Sequence, residues 1–247
     1  MSIVEIFSTA SDKYAAYRPR YPDALFSHLA GMCSERSVVW DCGTGSGQAT
    51  ASLARWFDRV VATDASFTQV SQGARGATID FAVCTAEQPA LARGVANLIT
   101  VAQALHWLRL DDFYTAARWV AAPGAVIAAW TYNLATITPE LDQVIRYLYS
   151  DVLGAFWAQD RRLVEEGYSF VPWPFDEQPF PNVPMAATWT FEQLLGYLRT
   201  WSAAHSYLKA RGHDAIAECE PALRDAWGRE ANREITFPLM GRIGRIE

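Results

Sequence analysis

What this chain lacks narrows it before any motif is read. Nowhere in its 247 residues do lysine and arginine form a run, and the formal net charge is −6 with a pI near 5.3. Neutralising phosphates takes clustered cations, so nucleic acid is not expected as a partner. No apolar stretch reaches the roughly 18 residues of a membrane span. The start, Met1-Ser2-Ile3-Val4-Glu5, has no basic region before an apolar one. Neither a membrane partner nor a signal peptide is therefore expected, and the expected compartment is cytoplasmic. The four cysteines, at 33, 42, 84 and 219, match no spacing such as C-x-x-C, and the four histidines, at 28, 106, 205 and 213, include no pair at helical ligand spacing. A metal has no support, and the cysteines read as small buried apolar residues. There is no internal repeat and no low-complexity segment, and the residues specify no oligomeric state.

What is present begins with a 51% apolar composition, enough for a sizeable core in one large domain. Its most informative stretch is Val38-Val39-Trp40-Asp41-Cys42-Gly43-Thr44-Gly45-Ser46-Gly47. An apolar strand meets three alternate glycines through one acidic residue, and a helix-compatible run follows at 48 to 57. Glycines at 43, 45 and 47 let a backbone turn sharply and approach a ligand closely. A dinucleotide fingerprint, G-x-G-x-x-G, would want its third glycine at position 48, where Gln48 stands, and would set a pyrophosphate facing Asp41. Asp41 suits a cofactor with a cationic group instead. S-adenosylmethionine carries an ammonium and a sulfonium and no phosphate. Asp64 ends the next apolar strand, Arg59-Val60-Val61-Ala62-Thr63, 21 residues beyond Gly43, where a carboxylate can accept from both ribose hydroxyls. The plainer alternative is that Asp41 and Asp64 cap the helices after them.

The pattern along the chain predicts a helix over 22–34, then strand 37–41, helix 47–57, strand 59–63, helix 66–74 and strand 78–83. A turn or short helix at 87–93 precedes strand 95–101, helix 110–121, Pro123-Gly124 and strand 125–130. Such alternation argues for an α/β fold, a doubly wound and mostly parallel sheet whose ligands bind beyond the C-terminal strand ends. Helical patterns follow at 139–153 and 159–166, then a proline- and aromatic-rich insertion to 184, helices at 190–203 and 213–227, and a final strand or hairpin at the sheet edge. As one domain, the chain is expected to comprise an N-terminal cover and helix (1–35), a cofactor-binding core (36–131), an inserted lid (132–186) and C-terminal helices with edge strands (187–247).

These residues resemble the class I S-adenosylmethionine-dependent methyltransferases, and nearly the whole chain is similar to the trans-aconitate methyltransferase-like subgroup. The general resemblance rests on Asp41 to Gly47 and on Asp64-Ala65-Ser66. The subgroup resemblance rests on Tyr14-Ala15-Ala16-Tyr17-Arg18-Pro19-Arg20-Tyr21-Pro22, on Ala102-Gln103-Ala104-Leu105-His106-Trp107, and on Thr188-Trp189-Thr190-Phe191-Glu192 with Tyr197-Leu198-Arg199-Thr200-Trp201-Ser202. It implies a seven-stranded Rossmann-like sheet with an antiparallel last strand. It places Asp41, Gly43, Thr44, Gly45 and Gly47 around the methionine part of S-adenosylmethionine, and Asp64 with Ala65 at the ribose. Cys84, Thr85 and Ala86 would flank the adenine beside Glu87, and Gln103 and Ala104 would line the cofactor near its sulfur. Tyr14, Tyr17 and Arg18 belong to a segment that folds over the cofactor, where Arg18 can pair with its carboxylate. The alternative is that Tyr14, Tyr17 and Tyr21, recurring at helical spacing, staple that segment to the core.

The expected activity is methyl transfer to a small-molecule acceptor, on a carboxylate or hydroxyl oxygen. A carboxylate needs no base and calls for a cation such as Arg18, Arg161 or Arg199. A hydroxyl profits from one, with His106 first among candidates and a hydrogen-bonded structural histidine as the alternative. Trp107 reads as a pocket wall, and the face of Trp107 or Trp130 can stabilise a sulfonium. Two other classes fit parts of the pattern: a non-catalytic S-adenosylmethionine-binding protein and a nicotinamide-dependent oxidoreductase.

Overall fold

The computed structural model describes residues 17–247. The cover expected over the first residues, Tyr14 included, lies mostly outside them. Among the described residues the strands are β1 (Val38–Cys42), β2 (Arg59–Asp64), β3 (Ile79–Val83), β4 (Ala96–Ala102), β5 (Ala121–Tyr132), β6 (Asp176–Gln178), β7 (Met185–Trp189), β8 (Arg233–Phe237) and β9 (Leu239–Arg245). They fall in two compact units. One comprises Tyr21–Asn133, Arg162–Val183 and Leu239–Glu247, and the other, among the described residues, 17–20, Leu134–Arg161 and Pro184–Pro238.

The first unit is built on a seven-stranded sheet of order β3-β2-β1-β4-β5-β9-β6. Strands β1 to β5 run parallel, β9 is antiparallel to β5, and β6 is antiparallel to β9. Strands covered on both faces read as continuous apolar runs, and β1 and β4 do so, with Val39, Trp40, Leu98, Ile99 and Val101 fully buried. Trp40 also satisfies its indole by donating to Thr63 Oγ1 at 2.8 Å, which ties β1 to β2. The chain leaves β1 toward β3 and returns on the other side at β4. The strand order therefore reverses between β1 and β4, the crevice where open α/β sheets bind ligands.

The second unit is a helical layer with a two-stranded antiparallel ribbon of β7 and β8. Helix Phe191–Arg199 opens with a capping box, Thr190 accepting from the Gln193 N–H and Gln193 reaching back to the Thr190 N–H. Trp189, Tyr197 and Phe237 pack ring against ring at 5.3 to 5.5 Å and join that helix to the ribbon.

Several expectations need correcting. The helix expected over 47–57 is only Thr50–Leu53 between turns, because residues 44 and 50 are drawn to Asp41 and the glycines between them turn instead of coiling. The helix expected over 190–203 ends at Arg199, and a separate helix, Ser202–Arg211, runs to a left-handed Gly212. It escaped prediction because Ser202-Ala203-Ala204-His205 carries no apolar stripe. The closing residues form neither a hairpin nor the edge of the sheet. β8 and β9 part at Pro238, and β9 lies inside the sheet, with β6 from the proline-rich insertion as the edge. Glycines permit this close fit: a Cβ on Gly241 would lie 2.4 Å from the Ala129 carbonyl and 2.7 Å from the Phe180 ring. The insertion's aromatics pack onto the sheet unit, with Phe175 edge-on to Tyr114 at 5.2 Å.

A pair of glycine substitutions tests this placement. Gly241→Ala should cost about 1–3 kcal/mol through overpacking against β5. Gly31→Ala, in helix Asp23–Met32 with nothing within 4 Å, should stabilise by about 0.5–1 kcal/mol. Urea denaturation of both variants gives the two signs.

Candidate functional site

At the end of β1, Asp41 is completely buried. Thr44 and Thr50 both donate to its Oδ2, at 2.7 and 2.6 Å, and Thr100 of β4 donates to Oδ1 at 2.9 Å. Burial pushes the carboxyl above its ordinary range, the three hydroxyls pull it back, and the nearby charge of Asp64 adds to the rise. Threonines on both sides of the loop thus converge on one charge. They hold the backbone of 43–50 in its turns. Asp41 caps no helix; it is the internal anchor of the glycine loop.

The three glycines all occupy the left-handed region, with φ of +65° at Gly43, +57° at Gly45 and +86° at Gly47. Gly43 is constrained twice, since a Cβ there would also lie 2.6 Å from the Ala104 Cβ. The loop therefore sits directly on the segment that follows β4. Asp64, at the end of β2, accepts the Gly45 N–H on Oδ2 at 2.9 Å and the Ser66 N–H on Oδ1 at 2.8 Å. Burial raises its carboxyl also, against the two N–H bonds. Ser66, not Asp64, caps the following helix, by accepting from the Gln69 N–H. Each Asp64 oxygen thus keeps acceptor capacity beyond its single backbone donor. Ala65 lies exposed between the two.

Beyond β3, Cys84 donates its N–H to the Asp64 carbonyl, and Ala86 is buried. Burial would push the Glu87 carboxyl up, yet hydrogen bonds, the Arg109 N–H first among them, hold it below the ordinary range. Beyond β4, Gln103 is left-handed without being glycine, at φ +57°. It is tied to β5 by its N–H to the Trp130 carbonyl at 2.8 Å and by Thr131 donating to its Oε1 at 2.8 Å. The side chain of Gln103 is thus directed to β5. Its strained backbone hands the chain to Ala104 and then to a single 3-10 turn, Leu105–Trp107. There His106 Nδ1 meets the Tyr168 hydroxyl at 3.0 Å, and the His106 and Trp107 rings lie 4.5 Å apart.

Other candidates have different surroundings. Trp130 is fully buried, edge-on to Tyr21 and Phe26, and is core rather than an open face. In the other unit, Tyr17 packs against Gly196 of helix Phe191–Arg199. Arg18 donates to the Thr200 carbonyl at 3.2 Å and lies over the Tyr197 ring. Arg199 is paired with Asp214 at 2.7 Å, and Arg161 is stacked on Trp157 and bonded to the Tyr149 hydroxyl. Cys33 and Cys84 are half-buried, unlike the buried Cys42 and Cys219. Thr50, Thr100 and Tyr168 were missed. Thr50 lies three residues past the glycines, but no spacing in the sequence points to Thr100 or Tyr168.

The anchor can be tested through pH. Thr100→Val is nearly isosteric and leaves Asp41 Oδ1 without its donor, so it should destabilise by about 1.5–3 kcal/mol at pH 7. The folded-state pKa of Asp41, already raised, should rise further while that of the unfolded chain stays put. The deficit should therefore shrink as pH falls through the raised values, because folded Asp41 of the variant takes up its proton before that of the wild type while the unfolded chains titrate alike. Denaturation at pH 7 and pH 4.5 measures the difference, and an equal deficit at both would contradict the role given to Asp41.

Comparison with known proteins adds to this geometry. Residues 40–129 match the family described as a methyltransferase domain. A solved structure from Anaeromyxobacter dehalogenans, described as a type II methyltransferase, is 42% identical with a TM-score of 0.87, covering 93% of this chain and 98% of that one. A Dictyostelium discoideum protein named as a methyltransferase is 29% identical over 241 residues, covering 94% of this chain and 92% of its own. A methyltransferase structure from Anabaena variabilis shares the fold, at 14% identity and a TM-score of 0.54, covering 91% of this chain and 99% of that one. With its seven-stranded sheet, anchored glycine loop and aspartates at successive strand ends, the chain belongs to the class I S-adenosylmethionine-dependent methyltransferases.

Proposed function

We propose that this methyltransferase transfers its methyl group to an oxygen of a small, partly apolar acceptor, a carboxylate in first place and a phenol or other hydroxyl in second. The observation that carries the reading is the contact of Gly43 with Ala104, which sets the glycine loop beside the turn bearing His106 and Trp107. The residues fit S-adenosylmethionine: the loop's glycines have no side chains to fill its approach, and Asp64 retains acceptor capacity on both oxygens for two ribose hydroxyls. The acidic chain, without a basic run, supports a small molecule over nucleic acid. Membership of the trans-aconitate methyltransferase-like subgroup is part of the same proposal and rests on the motifs around Tyr14, Gln103 and Trp189.

S-adenosylmethionine, when bound, supplies an electrophilic methyl on a sulfonium. The chain's own share is alignment and the exclusion of water. Orientation of an acceptor against a fixed partner can supply about 7–11 kcal/mol. Asp64 and the loop would hold one side, with Thr85, Ala86 and Glu87 along the adenine, and Trp107 would wall the acceptor and keep water from its oxygen. Arg18 and Tyr14 are proposed as further cofactor contacts on the strength of the resemblance alone. A carboxylate is ionised across the neutral range, so His106 would act on it as a contact and not as a base.

A screen of small acids and phenols with wild-type protein and His106→Ala tests the acceptor. For an acid, turnover should stay within about tenfold, whereas a hydroxyl needing a base should lose about 10²- to 10⁴-fold. Preferred methylation of a peptide or nucleic acid would sink the proposal. At the cofactor, Asp64→Ala should weaken binding by about 1–3 kcal/mol. Because the Asp64 carboxyl is raised by burial, wild-type affinity should fall as pH drops through that raised value. Asp64→Asn should flatten this profile in calorimetric titrations.

A further inference from the structure

Outside the residues already assigned a part, one contact stands out for what it costs the backbone. Tyr168 is fully buried and left-handed, at φ +65°, a conformation that bulky side chains seldom adopt. Gly167 before it is left-handed as well, and a Cβ there would meet the Met240 Cβ at 2.9 Å. The pair is held by the Gly167 N–H to the Val164 carbonyl, the Tyr168 N–H to the Leu163 carbonyl at 2.9 Å, and the Val171 N–H to the Tyr168 carbonyl at 3.1 Å. The ring lies in the apolar core that also contains Leu105 and Val101. What this strained and over-determined turn delivers is the phenol oxygen, 3.0 Å from His106 Nδ1, with the two rings inclined at 28°.

We propose that Tyr168 is a positioning residue for His106: its hydroxyl donates to Nδ1 and so fixes the imidazole as the tautomer with its proton on Nε2. A neutral imidazole has one donor and one acceptor nitrogen, and the partner of one nitrogen decides the state of the other. Of the two groups, the phenol is the stronger acid and the imidazole nitrogen the stronger base, so the better hydrogen bond runs from the phenol O–H to the ring nitrogen. His106 then presents a hydrogen-bond donor at Nε2. That is the wrong state for removing a proton from a hydroxyl and the right one for holding an ionised oxygen. The inference deepens the carboxylate reading given above and rests on it for its functional meaning, whereas the tautomer itself can be measured without acceptor or cofactor.

Long-range proton–nitrogen NMR on ¹⁵N-histidine-labelled protein at pH 7.5 reads it, with His106→Gln identifying the signals. In the wild type, Nδ1 of His106 should be unprotonated and Nε2 protonated. In Tyr168→Phe, which keeps the ring and removes the hydroxyl, the Nδ1 signal should lose its hydrogen-bond shift and the two nitrogens should move toward tautomeric averaging. A proton on Nδ1 in the wild type, or identical spectra in the two proteins, overturns the proposal whether or not an acid acceptor is ever found. Given an acid acceptor, Tyr168→Phe should raise KM about three- to tenfold with kcat changed less. A screen that returns only hydroxyl acceptors, with the Nε2–H tautomer intact, would refute the acceptor and leave the positioning role standing.

Discussion

The carboxylate of Asp41, fully buried beneath the glycine loop, makes the interactions on which the rest of the site depends. Removing a carboxylate from water costs several kcal/mol even after relaxation. Hydrogen bonds to a charged group return about 1.5–3 kcal/mol each, and Asp41 has three, from Thr44, Thr50 and Thr100. Because those threonines come from the loop, the short helix after it and the adjacent strand, the same bonds fix three backbone segments together. The left-handed glycines then become the loop's only low-strain path from Asp41 to Thr50.

From that anchor the site extends across neighbouring strand ends. Asp64 reaches from β2 to the Gly45 N–H, Ala104 just beyond β4 supports Gly43, and the β5 end ties down Gln103. Left-handed backbone gathers at the same end of the sheet, without strain in the three glycines and with strain in Gln103, and Tyr168 adds another such residue against the turn after β4. A rigid set of donors and acceptors of this kind needs little reorganisation when a ligand arrives, which suits a reaction driven by alignment.

Much of the sheet was legible in the sequence because buried parallel strands are written as apolar runs between turn residues. The glycine spacing and the two aspartates likewise marked the turn of the glycine loop. What escaped follows physical lines. β6 was hidden among prolines, its short length and exposed edge imposing little pattern. Helix Ser202–Arg211 buries only Ala203, Ala204 and Tyr207 and so shows no stripe. The inward role of Asp41 depends on Thr100, nearly sixty residues away, and the His106 contact on Tyr168, sixty-two residues away. Partners brought together only by the fold leave no periodic trace, so the chemistry of single residues could be read and their pairing could not.

We propose that the loop anchored by Asp41 and joined to Asp64 takes S-adenosylmethionine and not a dinucleotide. Titration calorimetry of the whole chain at neutral pH, with S-adenosylmethionine and with a nicotinamide dinucleotide in parallel, tests it most directly. Saturable binding at one site for S-adenosylmethionine, with no heat from the dinucleotide, is the predicted result. Saturation by the dinucleotide, or none by S-adenosylmethionine, would contradict it.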